Sequence, residues 1–320
     1  GTIAEAIPLP FDGSQAFLVV LRVEYTEGEP ELYLMPVAFA TGERVGQLSA
    51  DPLHPVIATV ELKGAAQAGT VVAYDALASP EFRQALVDGI GRRRTYRGLQ
   101  GNVMAYRTRG VYTRTRGPMS ETMESTLLRA EQSNSSITYG DRFVLKLYRR
   151  LEDGTSPELE IGRFLTDGVA FANAPNVAGA LEYRTSAESE PVTFAVLHTY
   201  VRNEGNAWTY TLDALGRYYD NVLARPGVSA PLPVAKTPVQ VSQESPPPLV
   251  TELIAPYLES VRVLGQRTAE LHLALASAVD DAAFAPEPFS IVYQRALFHG
   301  HRAFMVQVMN SLKSIQRSLQ

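Results

Sequence analysis

The stretch Ser136-Ile137-Thr138-Tyr139-Gly140-Asp141-Arg142-Phe143-Val144-Leu145-Lys146-Leu147-Tyr148 governs how the rest of the chain is read. Two extended runs flank Gly140-Asp141, a dipeptide suited to a tight turn, so the segment reads as a β-hairpin. Side chains alternate along a strand, which puts Phe143, Leu145 and Leu147 on one face and Val144, Lys146 and Tyr148 on the other. Lys146 is therefore a cation set in an apolar strand. An anion must offset its desolvation, and the two obvious kinds are a phosphate and a carboxylate.

Immediately upstream, residues 126–130 extend as a further strand, and Gln132-Ser133-Asn134-Ser135 form a loop of small polar residues. Downstream, Asp153-Gly154-Thr155 leads into Ser156-Pro157-Glu158-Leu159-Glu160. Here Ser serves as helix cap, Pro occupies a first-turn position that needs no amide donor, and Glu lies at the positive helix end. Glu158 and Glu160 are two residues apart and point to different sides, so only one can face the strand. Glu160 is the expected partner of Lys146. A polar loop, a strand lysine and a helix glutamate in this order match kinase-like amino lobes, where the loop covers phosphates and the glutamate holds the lysine.

Further out, Phe17, Val19, Leu21, Val23 and Tyr25 repeat with period two and are expected to form the buried face of a strand. Strands over 32–37, 56–62 and 70–74 complete an antiparallel meander. Ser79-Pro80-Glu81 opens a helix whose inward stripe is Phe82, Leu86 and Ile90. Between Arg92 and Arg116 there are eight arginines, interleaved with Tyr96, Tyr106 and Tyr112 as an RNA platform would require. A net charge of −5 weighs against coating nucleic acid or an anionic membrane, so these arginines are read as exposed strands balancing an acidic chain. Residues 225–250 carry seven of the 21 prolines and are expected to be a mobile linker. Beyond it, Leu253, Tyr257, Leu258, Val261, Leu264, Leu271 and Leu275 outline an amphipathic helix kinked near Pro256. A last helix follows through Leu297, Phe304, Val308, Leu312, Ile315 and Leu319.

The chain has no cysteine, which excludes disulfides, thiolate metal sites and a cysteine nucleophile, and fits a reducing cytoplasm. No apolar run reaches the roughly 18 residues a membrane span needs, and no basic and apolar leader opens the sequence. A cytoplasmic location, without membrane or nucleic-acid partners, is expected. The opening Gly1-Thr2 reads as an expression scar or a fragment boundary.

The run from Ala130 to Leu151 closely resembles the amino lobe of maltokinases, whose loop reads E-Q-S-N-[ST]-S and whose strand reads I-L-K-x-[FY]-R-R; here Glu131-Gln132-Ser133-Asn134-Ser135-Ser136 and Val144-Leu145-Lys146-Leu147-Tyr148-Arg149-Arg150 stand in those places. The family's following helix opens N-P-[DE]-[LI]-E, with Ser156 replacing the Asn in this chain. Residues 161–165 and 264–275 resemble versions fused to trehalose synthase. The resemblance implies an α+β chain in three parts: an antiparallel-sheet cap over 1–95; a protein-kinase-like, aminoglycoside-phosphotransferase-like amino lobe over 96–201; and over 202–320 a hinge, the proline-rich linker and the first helices of a truncated carboxy lobe. It implies transfer of the ATP γ-phosphate to maltose, giving maltose 1-phosphate, with a trehalose synthase domain as a possible upstream partner.

The nucleotide-site residues implied are Gln132, Ser133, Asn134, Ser135, Ser136, Lys146, Glu160, His198 and Tyr200. The polar loop would donate to phosphates, and the backbone of 192–201 would contact adenine at the hinge. His198 stands where relatives are expected to carry Gln. Such kinases also need an H-G-D-type catalytic loop and a D-F-type magnesium motif, and neither occurs in the sequence. No catalytic or metal residue is therefore assigned in this chain. His299-Gly300-His301 lacks ligand spacing on a helix. Magnesium ligands and the catalytic aspartate are expected downstream, and these 320 residues alone are expected to be inactive. The competing class is a non-catalytic kinase-like binding module, in which Lys146 and Glu160 form a structural ion pair.

Overall fold

Period-two patterning produces two antiparallel sheets, which the computed structural model describes over residues 1–50, 55–60, 71–128, 133–225 and 236–318. The first sheet contains β1 (Thr2–Phe11), β2 (Ser14–Val23) and β3 (Glu31–Ala40). After helix α1 (Glu43–Ala50) come β4 (Val56–Val60) and β5 (Val71–Asp75), in the spatial order β1-β2-β3-β5-β4. β1 and α1 were not anticipated from the sequence. Pro8 and Pro10 argue against a strand in general, but β1 lies at the sheet edge, where a missing amide donor costs nothing to the ladder.

The strand expected over 17–25 is β2, with a correction to its faces. Ala16, Leu18 and Val20 enter the main core, whereas Phe17, Val19 and Leu21 join a smaller cluster with Val37 and Ala73 on the opposite side. Both faces are apolar, so periodicity could not tell which one was deeper. The expected strands at 56–62 and 70–74 appear as β4 and β5; residues 61, 62 and 70 lie outside the described residues.

Helix α2 (Pro80–Gly91) is capped by Ser79, with Phe82, Leu86 and Ile90 fully buried as expected. Its stripe belongs to one core cluster that takes residues from the first sheet and from the second. After α2 come β6 (Thr95–Arg97), β7 (Asn102–Arg107), helix α3 (Val111–Arg116) and β8 (Ser125–Leu128). The arginine-rich segment is thus only partly strand. Arg116 is buried, its guanidinium donating to the carbonyls of Pro118 and Glu121 at 3.0 and 2.6 Å, so it serves packing rather than surface charge.

The deciding hairpin is β9 (Asn134–Tyr139) and β10 (Phe143–Tyr148), turned at Gly140 with φ +55°, a left-handed conformation that suits glycine. β11 (Arg150–Leu151) then crosses to pair with β3, joining the hairpin to the first sheet. Helix α4 (Pro157–Arg163) continues as a π-helical turn over Phe164–Gly168. β12 (Val177–Arg184) and β13 (Val192–Thr199) complete a seven-stranded sheet ordered β6-β7-β12-β13-β10-β9-β8. β12 and β13 are apolar on both faces because the main core covers one side and Leu159 of α4 covers the other.

The chain divides into two units, Gly1–Leu264 and Gly265–Gln320. The boundary expected near residue 95 falls at the start of β6, and the shared core crosses it. Helix α5 (Ala207–Leu223), capped by Asn206, meets the first part of α7 through a Tyr257 hydroxyl donating to Thr211 Oγ1 at 3.0 Å. Between them, residues 226–235 of the expected linker lie outside the described residues, while α6 (Pro238–Ser242) closes on a Thr237–Gln240 capping box. Helix α7 (Pro248–Leu275) breaks at Ile254, two residues before Pro256. The second unit contains α8 (Ile291–Ser318), whose apolar residues, among them Phe298, Phe304 and Leu312, are exposed; Leu319 lies outside the described residues. No described helix is long and apolar enough to cross a membrane.

Candidate functional site

The strand lysine and the capped helix meet. β10 alternates as its sequence requires, with Phe143, Leu145 and Leu147 buried and Val144, Lys146 and Tyr148 turned toward α4. Lys146 Nζ donates to Glu158 Oε2 at 2.8 Å, the Tyr148 hydroxyl donates to the same oxygen at 2.8 Å, and His198 Nε2 lies 3.1 Å from Oε1. β10 and β13 pair with Val144 opposite His198 and Lys146 opposite Val196, so register alone brings His198 onto the lysine face.

Glu160 is not the lysine's partner. It is exposed, and the carboxylate on Lys146 is Glu158. The reason is helix phase: each residue advances about 100°. Leu159 is the fully buried anchor, packed with Val177, Ala180 and Val196. Gly162 lies so close to Val177 that an added Cβ would stand 2.5 Å from its Cγ2. Glu158 borders that inward stripe and Glu160 is turned away. Spacing could have shown this, because Leu159, Gly162 and Leu165 mark the inward side with helical period.

The N-terminus of α4 is fixed before its side chains act. Ser156 Oγ accepts from the Leu159 amide at 3.4 Å, and the Ser156 amide donates to the buried Thr193 Oγ1 at 2.9 Å. At the other end Arg163 pairs with Glu182 of β12 at 2.8 Å and stacks over the Tyr106 ring at 4.0 Å.

The other expected site residues separate by strand face. Ser136 lies opposite Lys146 and Asn134 opposite Tyr148 in the β9–β10 ladder, so both share the lysine's side. Ser135 alternates to the opposite side, where its Oγ accepts from Arg149 Nε at 2.8 Å; Arg149 also binds Asp75 at 2.5 Å. The Ser133 carbonyl accepts from the Arg149 amide at 2.8 Å, and Gln132 lies outside the described residues. At the expected hinge, the Thr199 amide donates to the Asn176 carbonyl and the Tyr200 amide to the Arg142 carbonyl, at 2.9 and 2.8 Å, so both are engaged within the sheet. The His198 side chain serves Glu158, a role that sequence reasoning missed because it depends on strand pairing rather than on any local pattern.

The hydrogen bond from His198, with those from Lys146 and Tyr148, holds the Glu158 carboxyl down at about 2 even though burial pushes the other way. Burial raises the Tyr148 phenol, which stays a donor. Beside this group opens a cleft of about 380 Å³ bounded by Ser133, Asn134, Tyr148, Ser156, Glu158 and Thr193. Arg150, Glu152 and Asp153 line the cleft as well, and Lys146 is not among its lining residues; the lysine stands on the strand face beside it, where a cation oriented by a fixed carboxylate can meet an anionic ligand. Among the described residues no three His, Asp or Glu side chains gather as a metal site.

No protein-family model matches the sequence. Among solved structures, the chain is similar to a glucosamine kinase in complex with glucosamine, ADP and inorganic phosphate, at 15% identity and a TM-score of 0.41 over 87% of this chain and 47% of that one. It is also similar to a second crystal form of glucosamine kinase, at 16% identity and a TM-score of 0.42. The chain spans a little under half the length of these proteins. At that distance the likeness decides neither fold nor activity.

Proposed function

We propose that this chain is the nucleotide-holding part of an ATP-dependent sugar kinase whose acceptor is maltose. The observation that carries the reading is the ion pair between Lys146 of β10 and Glu158 of α4, at 2.8 Å, on the side of the hairpin that presents Asn134 and Ser136. Lys146 would place its charge on the ATP phosphates and Glu158 would fix its direction. In the transfer, the bond from the γ-phosphorus to the β,γ-bridging oxygen breaks as a bond to the sugar hydroxyl oxygen forms. The hydroxyl proton needs an acceptor, and the H-G-D-type loop that supplies one in such kinases is not among these 320 residues. The reading therefore assigns binding to this chain and transfer to the complete enzyme. Maltose specificity, a fused trehalose synthase domain and a cytoplasmic location are supported by the resemblance of residues 130–165 to maltokinases and are proposed on that basis.

The test is calorimetric titration of ATP into the chain. Lys146→Ala is expected to lower the ATP affinity of the folded molecules by about tenfold or more, beyond whatever stability is lost with the ion pair. In the complete enzyme, a Lys146→Ala and Glu158→Gln double-mutant cycle in maltose-dependent ATP turnover is expected to be non-additive, with the double variant little worse than Lys146→Ala. A second reading is favoured by the three donors that already surround Glu158: a structural pair in a non-catalytic module. It predicts the reverse pattern, with melting temperature lost in both single variants and no change in ATP affinity per folded molecule.

A further inference from the structure

Beside Lys146 and Tyr148, Glu158 has a further partner whose side-chain role the nucleotide reading does not explain. His198 sits on β13, opposite Val144, and its side chain is 17% exposed. Its Nε2 lies 3.1 Å from Glu158 Oε1, while Nδ1 is buried and has no hydrogen-bond partner among the described residues. A neutral imidazole carries its proton on one nitrogen only. A carboxylate can only accept, so the nitrogen facing Glu158 must be the donor, and a proton on Nδ1 would be buried with no acceptor. Both facts select the same tautomer.

Glu158 has two oxygens, and the occupancy of one affects the geometry of the other. Oε2 takes Lys146 and Tyr148; Oε1 takes His198. Without a donor at Oε1, the carboxylate of a side chain with three rotatable bonds could swing about its terminal bond and toward the cleft, carrying Lys146 with it. We propose that His198 is a positioning residue of the nucleotide site: protonated on Nε2, it locks the Glu158 carboxylate so that Oε2 stays on Lys146. The assignment rests on the nucleotide-site reading and adds a residue whose effect passes entirely through Glu158. It also predicts which replacement works. A Gln amide nitrogen reaches about as far along the side chain as Nε2 and can donate, whereas Leu fills similar space and cannot.

The experiment measures ATP affinity by calorimetry for the chain and for Lys146→Ala, His198→Leu and His198→Gln, with melting temperatures, and reads the His198 ring nitrogens by NMR. His198→Leu is expected to weaken ATP binding roughly fivefold to tenfold, the scale of one ordinary hydrogen bond, because its loss reaches ATP only through Glu158. His198→Gln is expected to restore most of that, and the ring to show the Nε2–H form. Unchanged affinity in His198→Leu, with Lys146→Ala weakened, overturns this role and leaves the nucleotide site standing. Unchanged affinity in Lys146→Ala overturns both. A ring protonated on Nδ1, or failure of Gln to rescue in a variant that melts normally, also overturns it, and because the Gln variant keeps a donor, loss of fold in His198→Leu alone does not obscure the result.

Discussion

Glu5 and Glu158 are both carboxylates drawn partly or wholly out of water, and they are solvated in opposite ways. Glu5, on edge strand β1, is 2% exposed and accepts from the amides of Leu99, Gln100 and Gly101 at 2.7 to 2.9 Å, from the Ala6 amide, and from the Tyr183 hydroxyl at 2.8 Å. Most of its donors are backbone, fixed by the β6–β7 turn, and they tie the first sheet to the second. Among the described residues the Glu158 carboxylate accepts only from side chains, and its own side chain is about one-third exposed. Backbone amides cannot leave their acceptor without unfolding the turn. A lysine on a four-carbon stem can turn from a carboxylate toward a phosphate. The first arrangement suits a joint and the second suits a binding group.

The sharpest way to break this comparison is Glu5→Ala. It removes the acceptor of four backbone amides and a phenol around a carboxylate that is itself buried, and a loss of about 3 kcal/mol or more is expected. Chemical denaturation checks it. ATP affinity of the molecules that remain folded should be unchanged, and a joint loss of both would erase the distinction between the two carboxylates.

Gly162→Ala should act next most strongly, through packing. The new Cβ would stand 2.5 Å from Val177 Cγ2, where α4 rests on β12. Overpacking of this kind costs about 1 to 3 kcal/mol, and here it also lifts Glu158 from Lys146. Stability and ATP affinity should fall together, unlike in Glu5→Ala. Normal affinity in this variant would show that the seating of α4 does not govern the ion pair.

Which parts could be read in advance follows from the range of the forces involved. The β9–β10 hairpin, the alternation that isolates Lys146, and the Ser79 and Ser156 caps are local, and each lies where its sequence signal puts it. The face of β2 that is buried deeper was not legible, because both faces are apolar and only the second sheet distinguishes them. Glu5 gives no local signal either, since the three turn amides that it accepts from lie some 95 positions away. His198 reaches Glu158 through strand pairing, a long-range fact. Glu158 rather than Glu160 as the partner of Lys146 is, by contrast, a local fact, since Leu159 and Gly162 set the helix phase.

Acid should also act on the Glu158 half of the comparison, more gently. The Glu158 carboxyl lies at about 2 in the folded chain against an ordinary 4.5, so its ionised form favours folding. That contribution is fully present above about pH 4.5 and is lost as pH falls toward 2. The difference in stability between the native chain and Glu158→Gln should therefore shrink over that interval. A constant difference would mean that the carboxylate's charge contributes nothing there. Water at a partly exposed side chain keeps the effect smaller than the packing loss at Gly162.

The smallest expected effect is the most specific. Glu160→Gln changes a carboxylate of the same helix, two residues from Glu158, with the same loss of charge near the same helix start. Through the helix dipole alone the two substitutions should cost similar, small amounts, a few tenths of a kcal/mol. Through the ion pair they should differ widely, because Glu160 is exposed on the side away from the sheet while Glu158 holds Lys146 at 2.8 Å. Glu160→Gln is therefore expected to stay within about 0.5 kcal/mol of the native stability and to leave ATP affinity unchanged. Glu158→Gln keeps the shape of the side chain but turns one charged acceptor into a donor facing Lys146, Tyr148 or His198, and should weaken ATP binding measurably. Titration of both variants side by side cancels the shared loss of charge and leaves position on the helix as the only variable. Equal affinities would mean that Lys146 takes its direction from something other than α4, and the distinction between a fixed joint at Glu5 and a binding group at Glu158 would then have to rest on the lysine alone.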